Sequence, residues 1–91
     1  MSSHAKISPE AAKALGRRLQ ALRADFGWTQ AEVADFAGMS RQQYRTLELG
    51  YRDNDAARIT PNPTVASLLA LARVFKVDAK DLISVMQSED S

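Results

Sequence analysis

The chain contains no cysteine. Disulfides, thiolate metal sites and a catalytic thiol are therefore excluded, and the absence agrees with a reducing, cytoplasmic location. There is one histidine, His4, and no second ligand lies near it, so it reads as an exposed side chain. No apolar run approaches the roughly 18 residues that a membrane span needs, and the first eight residues lack the apolar core of a signal peptide. Charge of one sign is scarce as well. The net charge is +1, with nine Lys/Arg against seven Asp/Glu in residues 1–60 and three against four in residues 61–91. A general polyanion-binding surface is thus not written into the composition, although attraction to phosphate depends on local rather than total charge. Asp53 and Asp55 sit close together, but no third and fourth ligand follow at the spacing of a calcium loop. The other carboxylates are scattered as helix caps and surface charges. No catalytic residue, metal or cofactor is expected, and the chain does not read as an enzyme.

What is present is one organising stretch, residues 29–50, within a chain of 91 residues. That length suits a single domain, since domains ordinarily run to roughly 100–200 residues, and it limits the core to simple helix packing. Thr29 is an N-cap candidate, and Glu32 three residues later completes a capping box. Val33, Ala34 and Ala37 then share one helical face. Gly38 ends this first short helix, where a residue free to take positive φ is cheapest. Ser40 caps a second helix whose apolar positions Tyr44 and Leu47 lie one turn apart. The opposite face carries Arg41, Gln42, Gln43, Arg45 and Thr46. Arg and Gln are the side chains suited to bidentate contacts with guanine and adenine edges in the major groove. Two short helices, a tight turn and such a face point to a helix-turn-helix that reads DNA.

At these residues the chain resembles the helix-turn-helix of the lambdoid phage repressor and Cro family, which includes the bacterial XRE-type regulators. The carrying residues are QAEVADFAGMSRQQYRTLELG, beginning at Gln30. Ala34 meets the request for a small residue where the helices cross, Gly38 the turn, and Val33, Tyr44 and Leu47 the apolar positions. Glu48 and Gly50 match the closing E-x-G. Tyr44 is a departure, because an aliphatic residue is usual there. A packed ring with its hydroxyl turned outward is one arrangement, and the sequence leaves its direction open. The resemblance runs from about residue 15 to about residue 83 and implies an all-α, five-helix repressor-like domain. It further implies that the first helix of the motif points at a DNA phosphate, with Gln30 on the backbone. A helix N-terminus is a ready anion site, which supports that role for Thr29 and Gln30; the alternative is a solvated helix start.

Elsewhere the chain reads as support. Residues 1–7 form a flexible tail with Lys6 as its only permanent cation. Ser8 and Pro9 start a helix in which Leu15, Leu19, Leu22 and Phe26 share a face, and Gly27 stops it. Arg17, Arg18 and Arg23 lie off that face, as solvated or ion-paired side chains or as phosphate ligands. Trp28 packs back as a hydrophobic staple onto Val33 rather than stacking on a base. Residues 51–63 form an insertion, polar and closed by two prolines, which reads as an exposed loop with one helical turn at residues 55–58. Arg52 and Arg58 either clamp phosphates there or decorate a tolerated loop that Asp53 and Asp55 make less attractive to DNA. Thr64 caps a third apolar pattern, Val65, Leu68, Leu69, Leu71, Ala72 and Phe75. Asp78 caps a last short helix with Leu82 and Ile83 turned inward. Val85 and Met86 exceed what the core needs and form an exposed patch, where the resembled family commonly carries its dimer contact. Residues 88–91 are an acidic tail.

The expected function is sequence-specific regulation of transcription, most simply repression, by a homodimer on a two-fold site in double-stranded DNA. Arg41, Gln42, Arg45 and Thr46 are the expected base contacts. Thr29, Gln30, Gln43, Arg52 and Arg58 are the expected phosphate contacts, and Val85 and Met86 the dimer interface. No membrane is expected as a partner. The rival reading is an antitoxin or other protein-interaction module that also binds its own promoter, although neither tail is long or apolar enough to hold a partner convincingly.

Overall fold

The first four helices begin and end where local chemistry tells them to. In the computed structural model, which describes residues 7–53 and 58–90 (backbone alone for 52, 53, 58, 59 and 88–90), five α-helices run in the order α1 (Pro9–Phe26), α2 (Gln30–Ala37), α3 (Arg41–Leu49), α4 (Val65–Phe75) and α5 (Ala79–Asp90). Ser8, Thr29, Ser40 and Thr64 cap the first four, each side-chain oxygen accepting from a backbone N–H three residues on. Such caps satisfy amides that have no partner inside the helix. At the other ends Gly27, Gly38 and Gly50 close α1, α2 and α3 in the left-handed conformation, and Lys76 does the same for α4 at φ 58. Lys76 is the one non-glycine there among the described residues.

α1 is the spine. It packs against α5 on one side and α3 on the other, α2 lies on α3 and α4, and α4 meets α5. The core is drawn from all five: Leu15, Leu19 and Leu22 of α1, Val33 and Ala34 of α2, Tyr44 and Leu47 of α3, Leu68, Leu71, Ala72 and Phe75 of α4, and Leu82 and Met86 of α5. Where α1 crosses α3 the backbones nearly touch. A Cβ added to Gly16 would stand 2.2 Å from the Glu48 carbonyl oxygen, so no larger residue fits without moving a helix. Gly50 is constrained twice, by its φ of 83° and by the Lys13 backbone, 2.9 Å from where its Cβ would be.

Several expectations are corrected by helical geometry. Leu68 and Leu69 are neighbours in sequence and so about 100° apart around the helix, and the rotation of α4 turns only Leu68 into the core. The stripe of Leu68, Leu71, Ala72 and Phe75 is buried, whereas Val65 and Leu69 lie on another side, 72% and 51% exposed. The same rule separates Leu82, fully buried, from Ile83, which is exposed. Met86 stands one turn beyond Leu82 and joins it in the core, and Val85 is partly buried against that core. The two therefore do not form an exposed patch. Phe26, at the end of the α1 face, is also exposed and stacks on Trp28, with ring centroids 4.3 Å apart and 13° between planes. Trp28 also meets Phe36 edge-on at 5.0 Å and lies near Phe75, which confirms its packing role in an aromatic cluster.

The chain ends and the insertion differ too. Ile7, assigned to the tail, packs against the core. α5 continues through residues 88–90, which are helical rather than an irregular tail. After α3 the insertion carries two two-residue strands, β1 (Arg52–Asp53) and β2 (Arg58–Ile59), paired antiparallel with Arg52 opposite Ile59 and Asp53 opposite Arg58. Arg58 is thus in a strand and not in a helical turn. His4, Lys6 and Asp55 lie outside the described residues.

Candidate nucleic-acid interface

The α2–turn–α3 unit is built almost entirely from local signals. Thr29 Oγ1 accepts from the Glu32 N–H at 3.1 Å, and the Thr29 N–H donates to Glu32 Oε1 at 2.9 Å, so the capping box is complete. The Gly38 and Met39 N–H groups donate back to the Asp35 and Ala34 carbonyls, which closes α2 and turns the chain. Ser40 Oγ accepts from the Gln43 N–H at 3.0 Å and starts α3.

Within α3 the inward positions are Tyr44, Leu47 and Glu48, and the outward face holds Arg41, Gln42, Gln43 and Arg45. The helix's one acidic residue is therefore buried, and its exposed face is cationic and amide-bearing. Thr46 is only half-exposed, and its hydroxyl donates to the Gln42 carbonyl at 2.9 Å. With that proton committed, Thr46 offers a base its methyl group and an acceptor oxygen. Beside this face runs an open cleft of about 530 Å³, walled by Gln42, Gln43 and Thr46 on one side and by residues 60–64 and Ser67 on the other.

What holds α3 at its angle is a polar hub that the sequence did not announce. Glu48 is 2% exposed, yet its carboxylate has four donors. Arg23 of α1 grips both oxygens, through Nε to Oε2 and Nη2 to Oε1. The Tyr44 hydroxyl donates to Oε2 at 2.6 Å, and Gln30 Nε2 donates to Oε1 at 2.9 Å. Arg23 also donates through Nη1 to the Trp28 carbonyl, and Gln20 Nε2 donates to the Glu48 carbonyl oxygen. Burial pushes the Glu48 carboxyl up, but the hydrogen bonds from Arg23, Tyr44 and Gln30 outweigh it and hold the group below the usual carboxylate range. Burial pushes the Tyr44 phenol up, reinforced by its bond to Glu48, so it stays protonated. The bond to Glu48 raises Arg23 further, securing its charge. No buried side-chain nitrogen or oxygen among the described residues is left without a partner.

The sequence-based assignments fall into groups. Arg41, Gln42 and Arg45 share one exposed helical face, with half-exposed Thr46 beyond Gln42 and exposed Gln43 farther round the helix. Gln30 stands at the α2 N-terminus as expected, although its amide is already engaged by Glu48. Thr29 carries the capping box. The Tyr44 hydroxyl points inward, against the outward arrangement. The strands place Arg52 and Arg58 on the segment that follows α3, and their side chains lie outside the description. Glu48 was legible only as part of the E-x-G match. The signal that could have found its role was a Tyr one turn before it, together with an Arg off the apolar face of α1. No group of three His, Cys, Asp or Glu side chains that could hold a metal occurs among the described residues, and no helix there is long and apolar enough to cross a membrane.

Among solved structures the fold is shared with the restriction-modification controller protein C.AhdI from Aeromonas hydrophila, at 24% identity and a TM-score of 0.65, covering 78% of this chain and 94% of that one. It is shared equally with the clp gene regulator ClgR from Corynebacterium glutamicum, at 23% identity and a TM-score of 0.65, covering 92% of this chain and 97% of that one. Likeness at such identity speaks for the fold. No functionally curated protein matches the chain in sequence. The sequence of the helix-turn-helix domain is matched over residues 14–83, from the middle of α1 into α5. The chain accordingly belongs to the helix-turn-helix domain family.

Proposed function

We propose that the protein is a sequence-specific transcriptional repressor that binds a two-fold operator as a homodimer and inserts α3 into the major groove. The observation that supports this most is the division of α3. Tyr44, Leu47 and Glu48 are buried, while Arg41, Gln42 and, one turn later, Arg45 stand exposed. In this reading Arg41 and Gln42 meet base edges, Arg45 and Thr46 reach a base or the strand beside it, and Gln43 faces a phosphate. The α2 N-terminus and Gln30 take a second phosphate, favoured by the helix dipole. Arg52 and Arg58 serve the backbone next to the groove.

One copy offers too few base contacts for tight, selective binding, so two copies on half-sites about one helical turn apart are required. The dimer contact is assigned to α5, on the side of partly covered Val85, with Met86 supporting it from the core. Repression follows from occupancy, by excluding polymerase. C.AhdI and ClgR are a controller and a gene regulator, which agrees with a regulatory role.

Selection from random duplexes, followed by gel-shift titration, tests the proposal. A palindromic preferred sequence is expected. Arg41→Ala should lose about 1–3 kcal/mol of discrimination between preferred and scrambled duplexes, the usual worth of a bidentate base contact. Unchanged affinity for both duplexes would remove Arg41 from base reading.

A further inference from the structure

We infer that Tyr44 is a positioning residue for DNA binding: acting through Glu48, its buried hydroxyl fixes the Gln30 amide with one N–H turned inward and the other turned toward the DNA backbone. The inference rests on the phosphate role proposed above for Gln30.

An ionised carboxylate has about four lone-pair sites and accepts hydrogen bonds only. In Glu48 all four are taken, Oε2 by Tyr44 Oη and Arg23 Nε, and Oε1 by Arg23 Nη2 and Gln30 Nε2. A full acceptor shell has one consequence for Gln30. Its amide can approach Glu48 only with nitrogen forward, because the opposite orientation sets a carbonyl oxygen against a charged one. The amide nitrogen carries two hydrogens in one plane, about 120° apart. With one committed to Oε1, the other points away from the hub, at the N-terminus of α2 where backbone donors also face outward. A Gln free to flip would present its oxygen to a phosphate half the time and repel it.

Arg23 alone does not secure this. Its side chain is 26% exposed, and it divides its donors between Glu48 and the Trp28 carbonyl. Tyr44 is fully enclosed and lies one turn before Glu48 on the same helix. It therefore ties the carboxylate to the helix that reads bases, and Gln30 is aligned to that helix through it. Two contacts on DNA, one from α2 and one from α3, are held in register by a single hydroxyl.

A double-mutant cycle on the full chain tests this, using the duplex recovered by random selection and a scrambled duplex. Gln30→Ala is expected to weaken binding to both by about tenfold, the scale of one hydrogen bond to a charged group. Tyr44→Phe keeps the ring and should weaken both by about threefold to tenfold. The double variant should bind no worse than Gln30→Ala alone, because Arg23 still grips both Glu48 oxygens and keeps α3 seated, which leaves that amide as the hydroxyl's route to DNA. A merely structural loosening would instead add its loss in either background. Side-chain amide resonances give a readout without DNA: the two Gln30 Nε2 protons should be well separated in the native chain and move toward the free-amide position in Tyr44→Phe. If Gln30→Ala weakens binding while Tyr44→Phe does not, or the two losses add, the positioning role is overturned and the phosphate role stands. If Gln30→Ala leaves affinity unchanged, both fall.

Discussion

α2 and α3 are almost the same length, both start on a hydroxyl cap, and both end on a left-handed glycine, yet different forces hold them. α2 is seated by aliphatic burial of Val33 and Ala34 and by its capping box. α3 is seated by Tyr44 and Leu47 and by a charged carboxylate that α1 grips from 25 residues away in sequence. Apolar contacts carry no bond direction, whereas a carboxylate with four donors needs each of them aligned. The helix proposed to meet base edges is the one given the directional anchor. Pre-set geometry at the reading helix is what fixed base contacts require.

The contrast can be broken at several points. The largest expected effect is Arg23→Ala, which leaves Glu48 buried and charged without its main partner. A loss of about 3–4 kcal/mol of stability is expected from such an uncompensated charge, with the partial exposure of Arg23 keeping it toward the lower end. Val33→Ala, the matching lesion in α2, should cost about 2 kcal/mol through lost apolar burial and the cavity left behind. Denaturant titration of both variants compares them, and a smaller effect for Arg23→Ala would reverse the ranking of the two anchors.

A second difference is in pH dependence. Glu48 lies below its ordinary value of 4.5 in the folded chain, so between the two values the unfolded state binds more protons. The stability it contributes is complete above about 4.5 and is lost as pH falls through the lower, folded value. Thermal melts from neutral pH to pH 3 should show acid loss that is shallower in Glu48→Gln and unchanged in slope in Val33→Ala. A slope unaffected by Glu48→Gln would place the acid sensitivity in other carboxylates. The smallest expected effect is Thr29→Ala, which removes an exposed half of a capping box and should cost about 1 kcal/mol.

Helix starts and stops were readable in the sequence because they depend on bonds spanning three or four residues. Ser8, Thr29, Ser40 and Thr64 as caps, and Gly27 and Gly38 as ends, could be placed by spacing alone. The division of apolar residues between core and surface was only partly readable. Leu68 and Leu69, or Leu82 and Ile83, are equivalent in composition, and which one is buried depends on how the helix is rotated against its neighbours. The candidate interface followed the same rule. Arg41, Gln42 and Arg45 were legible as one helical face, while the partners of Glu48 and the direction of Tyr44 were not.

By itself, then, the sequence determined an all-α helix-turn-helix, its turn, its caps and the polar face of its second helix, all consequences of short-range hydrogen bonding and a 3.6-residue period. Only the tertiary structure decided that Glu48 is a buried anchor, that Tyr44 points into it, that Gln30 is bound to it, and that Met86 belongs to the core. Apart from the Tyr44–Glu48 bond one turn apart, those facts join α1, α2 and α3 across separations of 18 to 28 residues, or rest on how α5 packs. No local pattern encodes them, because a buried charge is tolerated only after distant donors have been brought to meet it.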